Sequence, residues 1–319
     1  MAPVSADGAP VPPRPPLVLV DASVYVFRAW HAMPDSFVDA EGWPAQAVHG
    51  FARFLLELLE RERPRHIAVA FDEALDGSFR NALYPAYKAN RAPAPDELRR
   101  QFAHCKALCA ALGLGVLADA RYEADDLIGS ALHAARGDGF RGLIVSADKD
   151  LSQLLRTGDE QWDFARNQRW GAAGVKARHG VHAEQIADYL ALCGDAVDNI
   201  PGVSGVGAKT AAILLAHFGS LDALLARIDE VPFLRLRGAA QVAVRLREQR
   251  EHALLWRQLT TIALDAPLAL PAHGFARGAA DADMLDGLVQ ALRLGPLTRR
   301  RLRLAAGLPD PFSQEVSIA

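Results

Sequence analysis

The residues best suited to chemistry in this sequence are carboxylates that follow short apolar runs. LVLVD ends at Asp21, HIAVAFD ends at Asp72, and GLIVSADKD carries Asp148 and Asp150 just after its last branched residues. These runs are rich in Val, Ile and Leu and do not alternate, which is typical of strands buried on both faces. One aspartate after a strand is commonly a helix cap. Three such ends in one sheet favour a shared site.

Two further acidic groups stand outside these runs. YEADDLIGSALHAA places Glu123, Asp125 and Asp126 at a predicted helix start, where the helix dipole also favours negative charge, so capping remains an alternative. GDAVDNIP places Asp195 and Asp198 three residues apart, close to one face if that segment is helical.

Carboxylates gathered in one pocket repel one another and cannot all stay ionised without cations. Oxygen ligands without Cys or His select hard divalent ions, Mg²⁺ or Mn²⁺. Two such ions about 4 Å apart are a known solution for in-line displacement at a phosphodiester. The acidic groups therefore predict a site for two Mg²⁺ ions, with Mn²⁺ able to substitute.

The elements that must position these acids alternate along the chain. Helical patterns at 48–61, 96–112 and 124–135 separate the three apolar runs. Strand followed by helix predicts a parallel sheet with helices on both faces. Ligands bind such sheets outside the carboxyl ends of the strands, where the three aspartates are expected.

A glycine-rich turn follows the last acidic pair, in the segment 194–215, GDAVDNIPGVSGVGAKTAAILL. It is not a P-loop, because Ala208 stands where the lysine is required and the segment follows a helical pattern. Glycines allow backbone N–H groups to approach a phosphate closely, and a lysine adds charge. We interpret the segment as a helix–hairpin–helix that binds a duplex backbone, and a tight turn between packed helices is the alternative. The expected DNA contacts are Gly202, Ser204, Gly205, Gly207, Lys209 and Thr210.

A basic and aromatic segment, FRNALYPAYKANRAPAPDELRRQF, lies between the second apolar run and the next helix. Charges that track phosphates and rings that stack on bases suit single-stranded nucleic acid. The prolines prevent one long helix. Tyr84, Tyr87, Lys88 and Arg91 are the expected DNA contacts, and a solvated basic loop is the alternative.

Bulk composition limits the class of protein. The net charge is −3, but if nine of the 38 acidic residues share one pocket, the other 29 are outnumbered by 35 Lys and Arg residues. No apolar run reaches membrane-spanning length, and the Pro-rich start lacks the pattern of a secretory signal. Three sparse cysteines favour reduced thiols. A cytoplasmic, monomeric protein without a membrane partner is expected.

These motifs, in this order, resemble the bacterial 5′-to-3′ exonuclease and flap endonuclease family, including the 5′-nuclease domain of DNA polymerase I. The resemblance extends from about residue 17 to about residue 294. It implies an α/β fold, a three-layer α/β/α, mostly parallel sheet with a resolvase-like or PIN-like core, a helical arch and a C-terminal helix–hairpin–helix region. The expected divisions are a disordered leader at 1–16, a catalytic core at 17–180 with its arch at about 79–101, a helical DNA-binding subdomain at 181–305, and a tail at 306–319.

The resemblance also implies roles for individual residues. The first metal is expected among Asp21, Asp72, Glu123 and Asp125, and the second nearer Asp148, Asp150 and Asp198, with help from Asp126 and Asp195. Lys88 and Arg91 match cations that steer the scissile phosphate, and together with Arg80, Asp125 and Asp148 they form the expected catalytic set. Family members also bind a monovalent cation, usually K⁺, at the hairpin.

The predicted function is Mg²⁺-dependent, structure-selective 5′-nuclease activity, acting on DNA whose 5′ single strand or flap adjoins a duplex, with an RNA–DNA hybrid as a further substrate. The main alternative is a non-catalytic flap-DNA-binding protein that retains the fold. A toxin-type ribonuclease or a small-molecule phosphatase fits less well, because neither would need the hairpin. The basic LRLGPLTRRRLRL near the C-terminus is either a solvated helix face or an additional DNA contact.

Overall fold

The structure is a computed structural model that describes residues 14–73, 77–270 and 274–310. The predicted leader therefore lies mostly outside the described residues, and Pro16 already begins the first strand. Most of the predicted tail, at 311–319, also lies outside them.

One six-stranded sheet forms the centre of the fold, in the order β3-β2-β1-β4-β5-β6. Neighbouring strands are parallel except β5 and β6, which pair antiparallel. The three predicted strands are β1, β2 and β4, and the prediction of a mostly parallel α/β sheet is confirmed. The strands are Pro16–Asp21 (β1), Ile67–Asp72 (β2), Gly115–Asp119 (β3), Arg141–Val145 (β4), Glu160–Asp163 (β5) and Gln168–Gly171 (β6).

Helices cover both faces of this sheet. The helices of the first part of the chain are Ala22–Ala32 (α1), Gln46–Glu62 (α2), Phe79–Leu83 (α3), Asp96–Ala111 (α4), Ala124–Gly137 (α5) and Ala172–His179 (α6). Val18 and Val20 of β1 pack in one core cluster with residues of α1, α2 and α4. Leu17 and Leu19 pack in the other, with residues of α5. Burial of alternate residues on opposite faces explains the unbroken apolar run.

The chain then continues as helices. They are Ile186–Cys193 (α7), Ala208–Phe218 (α8), Leu221–Ala226 (α9), Ala239–Glu248 (α10), Arg250–Thr260 (α11), Ala282–Ala291 (α12) and Pro296–Ala305 (α13), with 3-10 turns at Asp150–Leu154, Ala183–Gln185 and Ile228–Phe233. Buried residues of α7 to α11 belong to the same core cluster as Leu17 and Leu19. The glycine-rich turn joins α7 to α8, as a helix–hairpin–helix requires.

The structure differs from the interpretation of the sequence in two details. Residues 195–200 are not helical, because Asp195 and Ile200 pair as an isolated bridge and close a short loop. The segment expected to form an arch over 79–101 has only the five-residue α3 before α4 begins at Asp96. Helix α4 packs on α2 in the core layer, so only residues 79–95 are available to cover the site.

Helix α13 carries the basic C-terminal stretch, and several of its arginines form ion pairs with acidic side chains. Arg300 pairs with Asp310 at 2.8 Å and Arg301 pairs with Glu60 at 2.8 Å. Arg303 pairs with Asp286 at 2.6 Å. Within the described ranges, no helix has the length and apolarity needed to cross a bilayer.

Candidate active site

The carboxyl ends of β1 and β4 bring two of the predicted acids together through a serine. Asp21 ends β1, is 3% exposed, and accepts a hydrogen bond from the backbone N–H of Val24 in α1. Its other oxygen accepts from Ser146 Oγ at 2.8 Å. Ser146 Oγ in turn accepts from the backbone N–H of Asp148 at 3.0 Å. Asp21 is thus both a helix cap and a member of the acidic group.

Asp72 lies at the end of β2 beside the start of α5. It accepts a hydrogen bond from the Ala124 N–H at 2.7 Å, and its own N–H donates to Ser23 Oγ at 3.1 Å. Glu123 is the N-cap residue of α5, and Asp125 lies in the first turn of that helix. Strand ends and a helix start therefore present acids from four sequence blocks at one edge of the sheet.

Burial and neighbouring carboxylates raise the pKa values of three of these acids. Burial, and then the charge of Asp72, raises the pKa of Asp21 to about 7. Burial, and then Asp148, raises the pKa of Asp150 to about 8. For Asp125, burial and the charges of Asp148, Asp21, Asp72 and Asp150 raise the pKa well above its usual value. Neighbouring carboxylates therefore oppose the ionisation of Asp21, Asp125 and Asp150, the condition that a divalent cation relieves.

The donor set fits a hard cation, although it is not a ready-made cage. In the part of the chain that the structure describes, no three Asp, Glu, His or Cys side chains are already arranged as an ion-binding group. All the converging donors are carboxylate oxygens, the ligands that Mg²⁺ and Mn²⁺ prefer. Asp150 Oδ1 is buried and has no hydrogen-bond partner, so it retains an acceptor for an ion.

Basic side chains lie against several of these acids. Lys88 Nζ donates to Glu123 Oε2 and lies 3.9 Å from Asp198 Oδ1. Arg91 Nη2 donates to the same oxygen of Asp198 at 2.7 Å. Burial opposes ionisation of Glu123, but the charges of Lys88 and Arg80 outweigh it and leave the Glu123 pKa below its usual value. Lys88 has a φ of 55°, a strained conformation that is often found at functional sites.

Tyr84 and Tyr87 do not match the prediction that their rings stack on bases. Tyr87 is 3% exposed, and its hydroxyl contacts Glu123 Oε2 at 3.2 Å and Asp198 Oδ2 at 3.0 Å. The Tyr84 ring packs edge-on against Trp256 at 4.9 Å. The Tyr87 ring is buried and the Tyr84 ring is partly buried against Trp256, so residues 84–91 present mainly cations to the site.

Arg80 and Asp126 also differ from their predicted roles. Arg80 is 3% exposed and donates both terminal nitrogens to Asp126, at 2.7 and 2.8 Å. It also donates to the Leu259 and Thr261 carbonyls, which leaves it no surface for a phosphate. Asp126, fully buried, further accepts from the backbone N–H groups of Glu123 and Ala263. Both residues are structural, and Asp126 is not a free metal ligand.

Asp195 and Asp198 reach the site on the loop 195–200. Asp198 Oδ2 accepts from Tyr87, and the Lys88 N–H donates to the Asp198 carbonyl at 3.1 Å. Asp195 instead uses one oxygen to accept from the Val197 N–H and the other to accept from Lys149 Nζ at 2.7 Å. Asp198 thus lies beside the acidic group, whereas both side-chain oxygens of Asp195 are bonded to its own loop and to Lys149.

The glycine hairpin presents backbone groups beside the start of α8. Gly202 and Gly205 have positive φ angles of 70° and 75°, and a Cβ at Gly202 would collide with the backbone at Gly194. Gly207 is the N-cap of α8 without a side-chain cap bond, so the first N–H groups of that helix face outward beside the exposed Lys209. The backbone N–H of Ser204, in contrast, already donates to Gln249.

Sequence reasoning missed two residues that hold the site. Ser146 and Lys149 both lie in the quoted SADKD block, but serine and lysine were not part of the search for carboxylates. Ser146 is fully buried although polar. A polar residue directly after a buried strand, two positions before a candidate ligand, was the available signal for it.

Two family models match the chain. The 5′-3′ exonuclease N-terminal resolvase-like domain matches residues 16–180. The 5′-3′ exonuclease C-terminal SAM fold matches residues 181–283. Together they cover most of the chain.

Individual relatives agree with these models. DNA polymerase I of Pseudomonas aeruginosa is 43% identical over 254 residues, which is 79% of this chain but only 28% of that protein. A structure of T5 5′-exonuclease with bound zinc ions has a TM-score of 0.63 at 20% identity, and the match covers 91% of this chain and 99% of that one. The catalytic core of Rad2 in complex with DNA substrate has a TM-score of 0.61 at 15% identity, with 92% of both chains covered. These structures establish the fold.

Proposed function

Because the chain belongs to the 5′-3′ exonuclease family, we propose that it is a Mg²⁺-dependent, structure-selective 5′-nuclease that hydrolyses DNA phosphodiesters with two metal ions. Family membership confirms the resemblance drawn from the sequence motifs. The chain spans 28% of the length of the Pseudomonas relative. Its activity, substrates and partners are therefore proposals, as is its division into a core at 17–180 and a helical subdomain at 181–305.

The observation that carries the proposal is the convergence of acids at the edge of the sheet. Burial and neighbouring carboxylates oppose the ionisation of Asp21, Asp72, Asp125 and Asp150, and gathering such charges without a cation is costly. We assign Asp21, Asp72, Glu123 and Asp125 to one ion and Asp148, Asp150 and Asp198 to the other. When bound, such ions activate a water molecule and stabilise charge on the phosphate.

The protein's own residues would orient the DNA at this site. Lys88 and Arg91 now pair with Glu123 and Asp198. Unlike the buried Arg80, both side chains are partly exposed, and we propose that they hold the phosphate that is cleaved. The hairpin N–H groups and Lys209 would hold phosphates further along the duplex. The acids and the hairpin thus serve different phosphates of one strand, which explains why carboxylates precede an anion-binding turn.

The proposal extends to the partner, the cofactor and the state of the protein. The structures of Rad2 with DNA substrate and of T5 5′-exonuclease with zinc favour DNA as the partner and divalent metal as the cofactor. Mg²⁺ in particular, Mn²⁺ as its substitute, K⁺ at the hairpin, activity on RNA–DNA hybrids, the monomeric state and a cytoplasmic location are proposals that follow from the family resemblance. Arg245 donates to the Ser204 carbonyl at 3.2 Å, so a cationic group already lies at the hairpin carbonyls.

The test is cleavage of a 5′-labelled flap duplex, with Mg²⁺ and with EDTA, beside a blunt duplex and a free single strand. The proposal expects Mg²⁺-dependent cutting near the flap junction and weaker cutting of both controls. Tight flap binding without cutting would instead support the non-catalytic alternative. Cutting that persists in EDTA would contradict the metal mechanism.

A further inference from the structure

Lys149 makes a contact that the proposed reaction does not by itself require. It lies between Asp148 and Asp150 in the loop after β4, and its Nζ donates to Asp195 Oδ2 at 2.7 Å. The same nitrogen is 3.6 Å from Asp150 Oδ1. Its side chain is 40% exposed, whereas that of Asp195 is only 6% exposed. A partly exposed lysine thus forms an ion pair with a buried carboxylate.

Asp195 organises the loop that carries Asp198. Its backbone N–H donates to the Ile200 carbonyl, and the Ile200 N–H donates back to the Asp195 carbonyl, both at 2.8 Å. Its side-chain Oδ1 accepts from the Val197 N–H at 2.9 Å. These three bonds close residues 195–200 into one compact loop, so a shift of Asp195 must displace Asp198 with it.

On its opposite side the loop is held by the bonds of Asp198 with Tyr87, Lys88 and Arg91 and by two asparagine side chains. Asn199 Nδ2 donates to the Ala86 carbonyl at 2.6 Å, and Asn90 Nδ2 donates to the Ala196 carbonyl at 2.9 Å. Both lead to the segment 79–95. Across the described residues, the bond from Lys149 to Asp195 is the one recorded hydrogen bond that joins the loop 195–200 to the loop 146–150. Loss of that bond would leave a buried carboxylate without its charge partner, which is costly.

We propose that Lys149 is a positioning residue that, through Asp195, fixes the loop 195–200 so that Asp198 faces Asp148 and Asp150 across the site. The inference rests on the proposed function, because it assigns Asp148, Asp150 and Asp198 to one ion. It gives Asp195 a role other than direct coordination. Residues that orient metal ligands commonly change metal affinity by ten- to a hundredfold when they are altered.

A simpler role for Lys149, neutralising Asp150, predicts the opposite change in cation affinity when the lysine is replaced. If the lysine only neutralised Asp150, removing its charge would make the pocket more negative and would strengthen cation binding. If it positions the loop, the same change disorders Asp198 and weakens cation binding. The direction of the change in affinity therefore separates the two roles.

The experiment compares Lys149→Met, Lys149→Arg, Asp195→Asn and the double variant Lys149→Met with Asp195→Asn. Lys176→Met, an exposed lysine on α6, is the matched control. Hydrogen exchange of the amides in 195–200 is measured without metal, and Mn²⁺ binding to the DNA-free protein is measured by electron paramagnetic resonance.

Positioning predicts that Lys149→Met and Asp195→Asn each speed loop exchange by roughly tenfold and weaken Mn²⁺ binding by about tenfold or more. The double variant should be no worse than either single one, because both remove the same interaction. Lys149→Arg should resemble the wild type. Unchanged loop exchange, unchanged or tighter Mn²⁺ binding, or additive effects would overturn the inference. Failure of the wild type to bind Mn²⁺ would instead overturn the proposed function, while loop exchange would still report on the Lys149–Asp195 bond.

Discussion

Arg80 and Asp126 form a buried two-bond ion pair, with Nη1–Oδ2 at 2.7 Å and Nη2–Oδ1 at 2.8 Å. The pair joins the segment that covers the site to the first turn of α5. Arg80 also donates to the Leu259 and Thr261 carbonyls. One guanidinium therefore holds together the covering segment, the acidic helix start and the end of α11.

Arg80→Met should lower the free energy of unfolding by about 3 to 5 kcal/mol, because it leaves the buried Asp126 charge without a partner. Urea denaturation measures this loss. Arg227→Ala is the control, since it breaks an exposed pair with Glu230, and solvent screening should make its effect on stability small. Equal and small losses in the two variants would mean that the buried pair is not structural.

Asp148→Asn should lower single-turnover flap cleavage by at least about 100-fold, more than the loss typical of a residue that only supports a ligand. Flap binding should persist, because the hairpin is unchanged. Asp119→Asn is the matched control: Asp119 also ends a strand, but it accepts from the Arg121 and Tyr122 N–H groups in a local turn. Parallel loss of cleavage and binding in Asp148→Asn would contradict this division of roles.

Lys209→Ala should weaken duplex binding and reduce its salt dependence by about one phosphate contact, a change of roughly 0.9 in the slope of log K against log salt. Fluorescence anisotropy over a salt series measures both quantities. Lys176→Ala, on the exposed surface of α6, should leave the slope unchanged. An unaltered slope in Lys209→Ala would show that the hairpin does not use this charge.

The stability of the metal-free protein should fall as pH rises from about 5.5 to about 8. The folded-state pKa is about 7 for Asp21 and about 8 for Asp150, both above the usual value of 3.8. The folded protein therefore holds protons that the unfolded chain has released, and the loss should be on the order of 5 kcal/mol. Thermal melts in EDTA measure it.

Thermal melts with Mg²⁺ in place of EDTA, and melts of two variants, provide the controls. Mg²⁺ should stabilise the protein more at the higher pH, because it replaces the lost protons. Asp150→Asn should flatten the pH dependence, whereas Asp119→Asn should not. Stability that stays level or rises with pH in EDTA would mean that these acids do not oppose one another.

Local sequence patterns predicted three of the six strands of the sheet. The buried runs ending at Asp21, Asp72 and Val145 are visible because each is apolar on both faces. Strand β3 was missed because it follows a helix closely and only Gly115 and Leu117 of it are buried. Strands β5 and β6 were missed because their four-residue sequences, EQWD and QRWG, are largely polar. β3 and β6 are the edge strands of the sheet, and edge strands leave a weaker apolar pattern.

The identities of the site residues could be read from the sequence better than their individual roles. Residue type and strand position pointed to Asp21, Asp72 and Asp148. The roles of Arg80 and Tyr87 depend on which partners meet across 46 and 111 positions of sequence, at Asp126 and Asp198. Composition around Arg80 and Tyr87 is equally consistent with a DNA-facing loop, so only tertiary contacts distinguish a buried tie from a phosphate contact.

The central claim is that these carboxylates hold two divalent ions on DNA, and anomalous diffraction from crystals grown with Mn²⁺ and a flap duplex tests it most directly. The account predicts two manganese peaks, one beside Asp21, Asp72, Glu123 and Asp125 and one beside Asp148, Asp150 and Asp198. Peaks only at other positions, or none at this edge of the sheet while the flap is bound, would contradict it.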